Sequence, residues 1–468
     1  MGHLKWAAAT RLISRAKLLL GQIWTGYSPT SHTHPTLSSD LSIFITHTND
    51  PLSSSVLWLR VTQTSIRQFG DVSELGELDN AVDAMFVCLH QRDARALDRA
   101  TLETIRLRVG AASSFFFLIP RQTPELDCVA YGPSVQSFAC SGALLRSARL
   151  WLGTHALGDA YLVAEWLLNH AVQLPVTRCL QIPAATHAGV TTRNVVSESE
   201  AGVEWVVPHQ GNLEYLEKCL RSVALSAPQI DKVVVCLDEP YTQAHEELLL
   251  AYPAYRFFTA EPSGNGPYVA RDYFGRNTLA DIVMHQDSDD IACVDRRTLL
   301  VAEMMSRGLD LVGSHELRID EINRKIVPVR FPLTPLPASM APLCRHVLFH
   351  PTSAIRADAL RRAGGFSTHR TFANDTEFLY RAMLCLRVGN VDEFLYVRRK
   401  RENSLSTAPA TAIGTPVRDE LSAAWGRDFP LVQSGQMSVE ESSFRLQHRP
   451  DYGNIVFKEV VGARGDEN

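Results

Sequence analysis

Val203-Glu-Trp-Val-Val-Pro208 reads as a short apolar strand, and the segments that follow it decide the fold. Leu213, Tyr215, Leu216, Cys219, Leu220 and Val223 recur at helical spacing. A strand, Lys232-Val-Val-Val-Cys-Leu237, a helix over Gln243 to Ala251 and a strand, Tyr255-Arg-Phe-Phe258, come next. Strands alternating with helices imply an α/β fold: a mostly parallel sheet with helices on both faces, and ligands at the C-terminal ends of the strands.

Outward from this unit the chain breaks at polar runs. Thr191-Thr-Arg-Asn-Val-Val-Ser-Glu-Ser-Glu-Ala-Gly202 lacks apolar periodicity, and Ser28 to Ser39 is polar and proline-punctuated. The expected organisation is an N-terminal helix and linker over 1–39, a first α/β domain over 40–190, a linker over 191–202, the main domain over 203–407 and a C-terminal extension over 408–468. The extension is charged and weakly periodic, and is expected to be peripheral or partly mobile.

The 468 residues are 45% hydrophobic and 21% charged, which is ordinary globular material with room for two domains. A net charge of -5, from 46 basic and 51 acidic residues, provides no broad basic field, so a nucleic-acid partner is not expected. Nine scattered cysteines without a CxxC pair suit reduced, mostly buried thiols of a cytoplasmic protein. The apolar stretch Trp6 to Trp24 is interrupted by Arg11, Arg15 and Lys17, too short and too charged to span a bilayer. It could still lie on a membrane surface, at the inner face of the cell membrane, or pack as a helix on the body of the protein.

Chemistry concentrates at Ala280-Asp-Ile-Val-Met-His-Gln-Asp-Ser-Asp-Asp290, where an apolar strand runs into Asp287, Asp289 and Asp290. Gathering carboxylates at a strand end is costly without a cation. An Asp-x-Asp there can turn one carboxylate to a ribose and the other to a divalent ion bridging a diphosphate. Alone, the tripeptide also fits a solvated acidic turn or a cap before Asp295-Arg-Arg-Thr-Leu.

With its neighbours, the segment 203–406 resembles the family-two glycosyltransferases of the GT-A fold, its pieces in the family's order. Val206-Val-Pro-His-Gln-Gly-Asn-Leu-Glu-Tyr-Leu-Glu-Lys-Cys-Leu-Arg-Ser-Val223 looks like the first strand, nucleotide loop and helix, with Pro208 in the loop and His209 departing from the usual small residue. Asp238 falls where the family places an acid against the nucleoside. Gly264-Asn-Gly-Pro-Tyr-Val-Ala-Arg-Asp272 is similar to a glycine turn followed by Ala-Arg-Asn, with Asp272 replacing the asparagine and Arg271 pairing either with donor charge or with the neighbourhood of Asp272. Pro351 to Phe366 resembles the stretch ending in Gly-Gly-Phe, and Asn374-Asp-Thr-Glu-Phe-Leu-Tyr-Arg381 the family's Glu-Asp with an arginine six residues on. Tyr396-Val-Arg-Arg-Lys-Arg resembles the closing basic loop, where Arg398 and Arg399 either reach a diphosphate or belong to a solvated face.

The resemblance implies Asp375 as catalytic base, Asp287 and Asp289 on Mn2+ or Mg2+, and Ser288 beside the donor. A carboxylate base and a metal-neutralised leaving group suit direct displacement with inversion. Asp375 equally suits a helix N-terminus, and His350 is either a further metal ligand or a structural histidine.

Upstream, Met85 through Leu102 aligns without gaps to Ile282 through Leu299, with His90 and Arg92 in place of Asp287 and Asp289. An arginine holds no cation. Gly142 to Leu150 and Gly158 to Trp166 resemble the stretches around Arg356 and Asp375, with Asp159 as the counterpart of Asp375. The 40–190 domain therefore reads as a degenerate GT-A-like copy that has lost donor binding and serves acceptor binding, dimerisation or support.

The expected partners are a UDP- or GDP-sugar donor and a glycan or glycoconjugate acceptor, with a homodimer kept open. A non-catalytic carbohydrate-binding scaffold is the alternative, motivated by the departures at His209, Asp272 and Asn374. A sugar nucleotidyltransferase would need a glycine-rich, basic phosphate loop after the first strand, which the chain does not have.

Overall fold

A computed structural model describes residues 56–61, 66–69, 85–90, 114–120, 129–132, 134–152, 157, 159–169, 176–182, 201–334 and 347–460. The expected N-terminal helix and linker, and most of the linker 191–202, lie outside these residues, as do Arg92 and Asp93 of the internal alignment.

The described residues form two sheets. The first holds β1 (Val56–Val61), β2 (Ile66–Phe69), β3 (Met85–His90), β4 (Ser114–Pro120), β6 (Ser137–Ser141) and β7 (Val176–Ile182), in the order β2-β1-β3-β6-β4-β7. β5 (Ala130–Tyr131) leaves that sheet and joins the second. Helices α1 (Gly142–Leu152) and α2 (Ala160–Asn169) follow β6.

The second sheet begins with β8 (Val203–His209), β9 (Lys232–Leu237), β10 (Arg256–Glu261) and β11 (Ile282–His285). Between them come α3 (Leu213–Ser226), α4 (Gln243–Ala251) and α5 (Pro267–Asn277). The chain then passes through β12 (Ile291–Ala292), α6 (Arg296–Arg307), β13 (Leu311–Asp320), β14 (Lys325–Arg330), β15 (Ala354–Arg356), α7 (Ala357–Arg362), α8 (Asn374–Cys385) and β16 (Val388–Lys400). It closes with α9 (Pro416–Gln433) and β17 (Val456–Val460). The expected α/β class is what folds: β11, β8, β9 and β10 lie side by side and parallel.

Every residue of β8 is buried, because it is paired on both edges and packed on both faces. Its apolar side chains each contribute about 1.5–3 kcal/mol by leaving water. From β8 the sheet continues to β9 and β10 on one side and to β11, later in sequence, on the other. This is the switch point at which a crevice opens beyond the strand ends. Local signals set the helix ends around it: Asn212 caps α3 by accepting from the Glu214 N–H at 2.8 Å, and Gly266 precedes Pro267 at the start of α5.

Beyond α6 the strand directions change. β11 and β15 are antiparallel, as are β15 and β13, while β13 and β16 run parallel. The first sheet repeats this pattern: β3 and β6 are antiparallel, β6 and β4 antiparallel, β4 and β7 parallel. A helix follows β6 as α7 follows β15, and α2 precedes β7 as α8 precedes β16. The neighbour of β3 on its other side is the antiparallel β1, in contrast to the parallel β8 beside β11.

The two sheets share a core, in which Phe115, Phe138, Tyr161 and Trp166 pack with Ile291, Leu317, Ile319, Ile326, Phe394 and Val397. Polar contacts cross the same seam: Arg178 pairs with Asp295 at 2.8 Å, and the Gln181 side chain donates to the Asp392 carbonyl at 2.7 Å.

The C-terminal extension departs from the peripheral role expected of it. β17 pairs antiparallel with β10 and ends that side of the sheet, with Arg256 bridging to Glu459 at 2.8 Å. Trp425 and Phe429 of α9 pack with Tyr380 and Phe444 in a separate small core. Weak periodicity concealed this, because an edge strand of five residues buries little of itself and needs no apolar run. No helix among the described residues is long and apolar enough to cross a membrane.

Candidate functional site

Past the ends of β8, β9 and β11 lies a cavity of about 830 Å3. All ten residues expected to act in the main domain line it: Pro208, His209, Asp238, Arg271, Asp287, Ser288, Asp289, Asp375, Arg398 and Arg399. Topology explains the convergence, since strand ends at a switch point deliver sequence-distant loops to one crevice.

The acidic turn after β11 forms its floor. Asp287, Asp289 and Asp290 can each offer an oxygen with all three within 4.8 Å of one another, close enough to share one cation. Burial, opposed by the Arg271 guanidinium, raises the Asp287 carboxyl above its ordinary range, and burial followed by the charges of Asp289 and Asp287 raises Asp290 further. Basic groups answer them. Arg271 pairs with Asp287, Arg401 with Asp289 at 3.0 Å, and Asp290 accepts the Arg399 backbone N–H at 2.7 Å. Tyr396, whose hydroxyl accepts the Asp287 N–H at 3.2 Å, fixes the turn from β16.

His209, at the end of β8, is 3% exposed, with Nδ1 3.0 Å from the Ser288 hydroxyl and Nε2 3.3 Å from Glu239. Burial pushes its pKa down to about 4, so at neutral pH the ring is uncharged. It ties the β8 loop to the acidic turn. Glu239 also accepts from the Gly211 N–H at 2.9 Å and meets His245 at 3.0 Å, making it the organiser of this corner.

Asp238 is turned inward. One oxygen accepts from the Gly264 N–H at 2.9 Å and the Asn265 amide at 3.1 Å, and the other accepts from the Gly266 N–H at 2.6 Å. Its carboxylate thus holds the glycine turn that begins α5. Gly266 has φ of +82, and a Cβ there would stand 3.1 Å from the Thr371 side chain.

Asp375 stands in the first turn of α8, where its Oδ1 accepts from the Tyr268 hydroxyl at 3.0 Å and from the Thr376 N–H at 2.9 Å. It satisfies a helix N-terminus, as one of its two sequence readings expected, and it lines the cavity. Its neighbours in sequence are structural. Asn374 donates to the Arg370 carbonyl at 2.7 Å, and Arg381 reaches the carbonyls of Gly365 at 2.7 Å and Phe444 at 2.8 Å.

The basic strand end divides. Arg398 lies over the Phe349 ring at 4.4 Å, with Glu316 at 3.7 Å. Arg399 contributes to the cavity wall; its Nε donates to the Asp289 carbonyl at 3.3 Å, while the end of its guanidinium reaches Asn169 at 2.8 Å and Glu321 at 2.6 Å, tying α2 to the second sheet. The cation facing the Asp289 carboxylate is Arg401 instead, two residues on. Arg401 lies one residue past the end of β16, where strand alternation no longer sets the direction of a side chain, so the basic run was legible in the sequence and the choice among its members was not.

His350 is 1% exposed and lines the cavity, its ring 4.2 Å from that of His285 and tilted to it by 40°. Neither ring has a hydrogen-bond partner among the described residues, and burial lowers both pKa values, leaving neutral imidazoles. Tyr268, Tyr396 and Arg401 lie inside stretches singled out in the sequence but carried no assigned role there, and Glu239, beside Asp238, was not singled out.

No protein-family model matches the chain, and no curated protein matches it. Among solved structures, S. aureus TarS 1–349 in complex with UDP-GlcNAc is 17% identical, covering 49% of this chain and 72% of that one at a TM-score of 0.38. The mannosyltransferase PcManGT from Pyrobaculum calidifontis in complex with GDP-Man and Mn2+ is 15% identical, covering 63% and 76% at 0.36. GalNAc-T7 with UDP, GalNAc and Mn2+ is 12% identical, covering 43% and 44% at 0.35. Overlaps of this size leave fold and chemistry resting on the strands and side chains described above.

Proposed function

We propose that the chain is an inverting, divalent-metal glycosyltransferase of the GT-A type, passing a sugar from a UDP- or GDP-sugar to a hydroxyl of a glycan or glycoconjugate. The observation that carries this reading is the meeting, in one cavity at a parallel-sheet switch point, of a three-carboxylate cluster with a separate carboxylate on another element. Asp287 and Asp289 would hold Mn2+ or Mg2+, with Asp290 behind them. The ion, when bound, neutralises the diphosphate that departs.

Asp375 is the base that takes the acceptor's proton as the new bond forms. Tyr268 holds its carboxylate in place by donating at 3.0 Å. Pro208, His209 and Ser288 shape the donor loop, and Arg398 offers positive charge to the diphosphate. For Asp238 the role becomes indirect: with both oxygens engaged by the 264–266 turn, it positions the loop beside the nucleotide.

The first sheet is a degenerate copy of the second in this reading. The shared sequence of strand directions, with α1 and α2 in the places of α7 and α8, supports it. Asp159, in the place of Asp375, is spent on a helix N-terminus, accepting from Tyr161 N–H at 2.8 Å.

A second reading, a carbohydrate-binding scaffold, is favoured by one observation: Arg271 and Arg401 already neutralise Asp287 and Asp289. Calorimetry with UDP and GDP, with and without manganese, on wild type and Asp289→Ala separates the two. Metal-dependent binding of one nucleotide, lost in the variant, supports the transferase; absence of any nucleotide binding leaves the scaffold.

A further inference from the structure

The cavity is not built by the second sheet alone. β5 crosses from the first region to pair antiparallel with β14, setting Tyr131 opposite Val329 and Ala130 opposite Arg330. The docking is close: the Gly132 N–H donates to the Pro328 carbonyl at 2.8 Å, and a Cβ on Gly132 would come within 2.7 Å of the Pro328 ring. This places Val129 and Tyr131 on the wall of the cavity that also holds Asp375.

Tyr131 is 64% exposed, although it sits in a concave wall. The Arg318 guanidinium lies 5.3 Å from its ring centroid. Arg318 is itself anchored at 2.9 Å through Nε on Glu316, a fully buried carboxylate that also faces Arg398 at 3.7 Å. Two guanidiniums therefore share one carboxylate, and Arg318 retains N–H donors beyond those Glu316 takes. Arg318 covers one face of the ring, and a side chain this exposed leaves the rest of it open; an aromatic surface with a held cation and spare donors suits a ligand with an apolar face and hydroxyl edges. A pyranose ring has that chemistry; a phosphate would use the cation and leave the ring face idle.

We infer that Tyr131 and Arg318 form an acceptor subsite for a sugar ring, the first region lending its strand β5 as the platform. The assignment of this sugar as acceptor rests on the transferase reading above; its binding does not. A chain whose first sheet lacks the acidic turn would thereby keep that sheet in use, as the support for one stacking residue.

The test uses the full chain and the methyl glycosides of glucose, galactose, mannose and N-acetylglucosamine, observed by saturation-transfer NMR without donor. At least one should receive saturation from the wild type. Tyr131→Ala should weaken its binding about tenfold, the equivalent of one stacking contact, while Tyr131→Phe keeps it. Arg318→Gln should weaken it as well. UDP and GDP with manganese are titrated into the same proteins. Glycoside binding that persists unchanged in Tyr131→Ala, or no glycoside bound by wild type, overturns the subsite. Parallel loss of nucleotide affinity in Tyr131→Ala does the same, because it reports general damage. Glycoside binding in a wild type that ignores nucleotides upholds the subsite and removes the donor reading instead.

Discussion

Replacing Asp272 by alanine tests how the site is held. Its side chain is 0% exposed; one oxygen accepts from the Phe366 N–H at 2.7 Å, and the other from the Tyr452 hydroxyl at 2.5 Å. One residue thus joins α5 to the Gly364-Gly365-Phe366 turn and to the C-terminal segment. Hydrogen bonds to a charged group contribute about 1.5–3 kcal/mol each, and the alanine strands a buried N–H, so Asp272→Ala should lose about 3–5 kcal/mol. With about 2.1 cal/mol/K of unfolding entropy per residue, a chain of 468 residues has roughly 1 kcal/mol/K, and the melting point should fall by about 3–5 °C. Asp272→Asn keeps an acceptor for the Phe366 N–H but turns an NH2 toward the Tyr452 hydroxyl, which must then accept instead of donate, and should lose less stability than the alanine variant. The assay is thermal and urea unfolding of the three proteins side by side. An alanine variant as stable as wild type, or an asparagine variant as damaged as the alanine, would refute the reasoning.

Three further outcomes follow from the geometry. Asp375→Asn should cut transfer about 10²- to 10⁴-fold while calorimetry shows nucleotide affinity retained; unchanged turnover would remove Asp375 as base. Arg401→Met frees Asp289 of its 3.0 Å partner, and manganese affinity, read by electron paramagnetic resonance, should rise rather than fall. Gly365→Ala should destabilise by more than a kilocalorie per mole in urea unfolding, since Gly365 has φ of +78 and its added Cβ would collide with Asp272.

The alternation of apolar strands and helices from Val203 onward was enough to read the parallel sheet, because a strand covered on both faces must be apolar along its length, as β8 is. The acidic turn was legible for a related reason: Asp287, Asp289 and Asp290 sit together in sequence, so their repulsion is a local fact that no fold can remove. The similarity between Met85–Leu102 and Ile282–Leu299 likewise needs no coordinates, although the shared order of strands beneath it does.

What tertiary structure decided is which partner each charge meets. Asp238, which the resemblance sets against a nucleoside, has both its oxygens engaged by the 264–266 turn. Arg399 and Arg401 are indistinguishable in a basic run, yet one pairs with Asn169 and Glu321 and the other with the Asp289 carboxylate. Tyr131 lies more than 150 positions from Arg318, and no periodicity announces that β5 will change sheets to bring them together. Hydrophobic pattern is written locally because burial is a property of each residue along its own element. Hydrogen-bond and ion-pair choice depends on distances of a few ångströms between segments remote in sequence, and only the closed fold sets those.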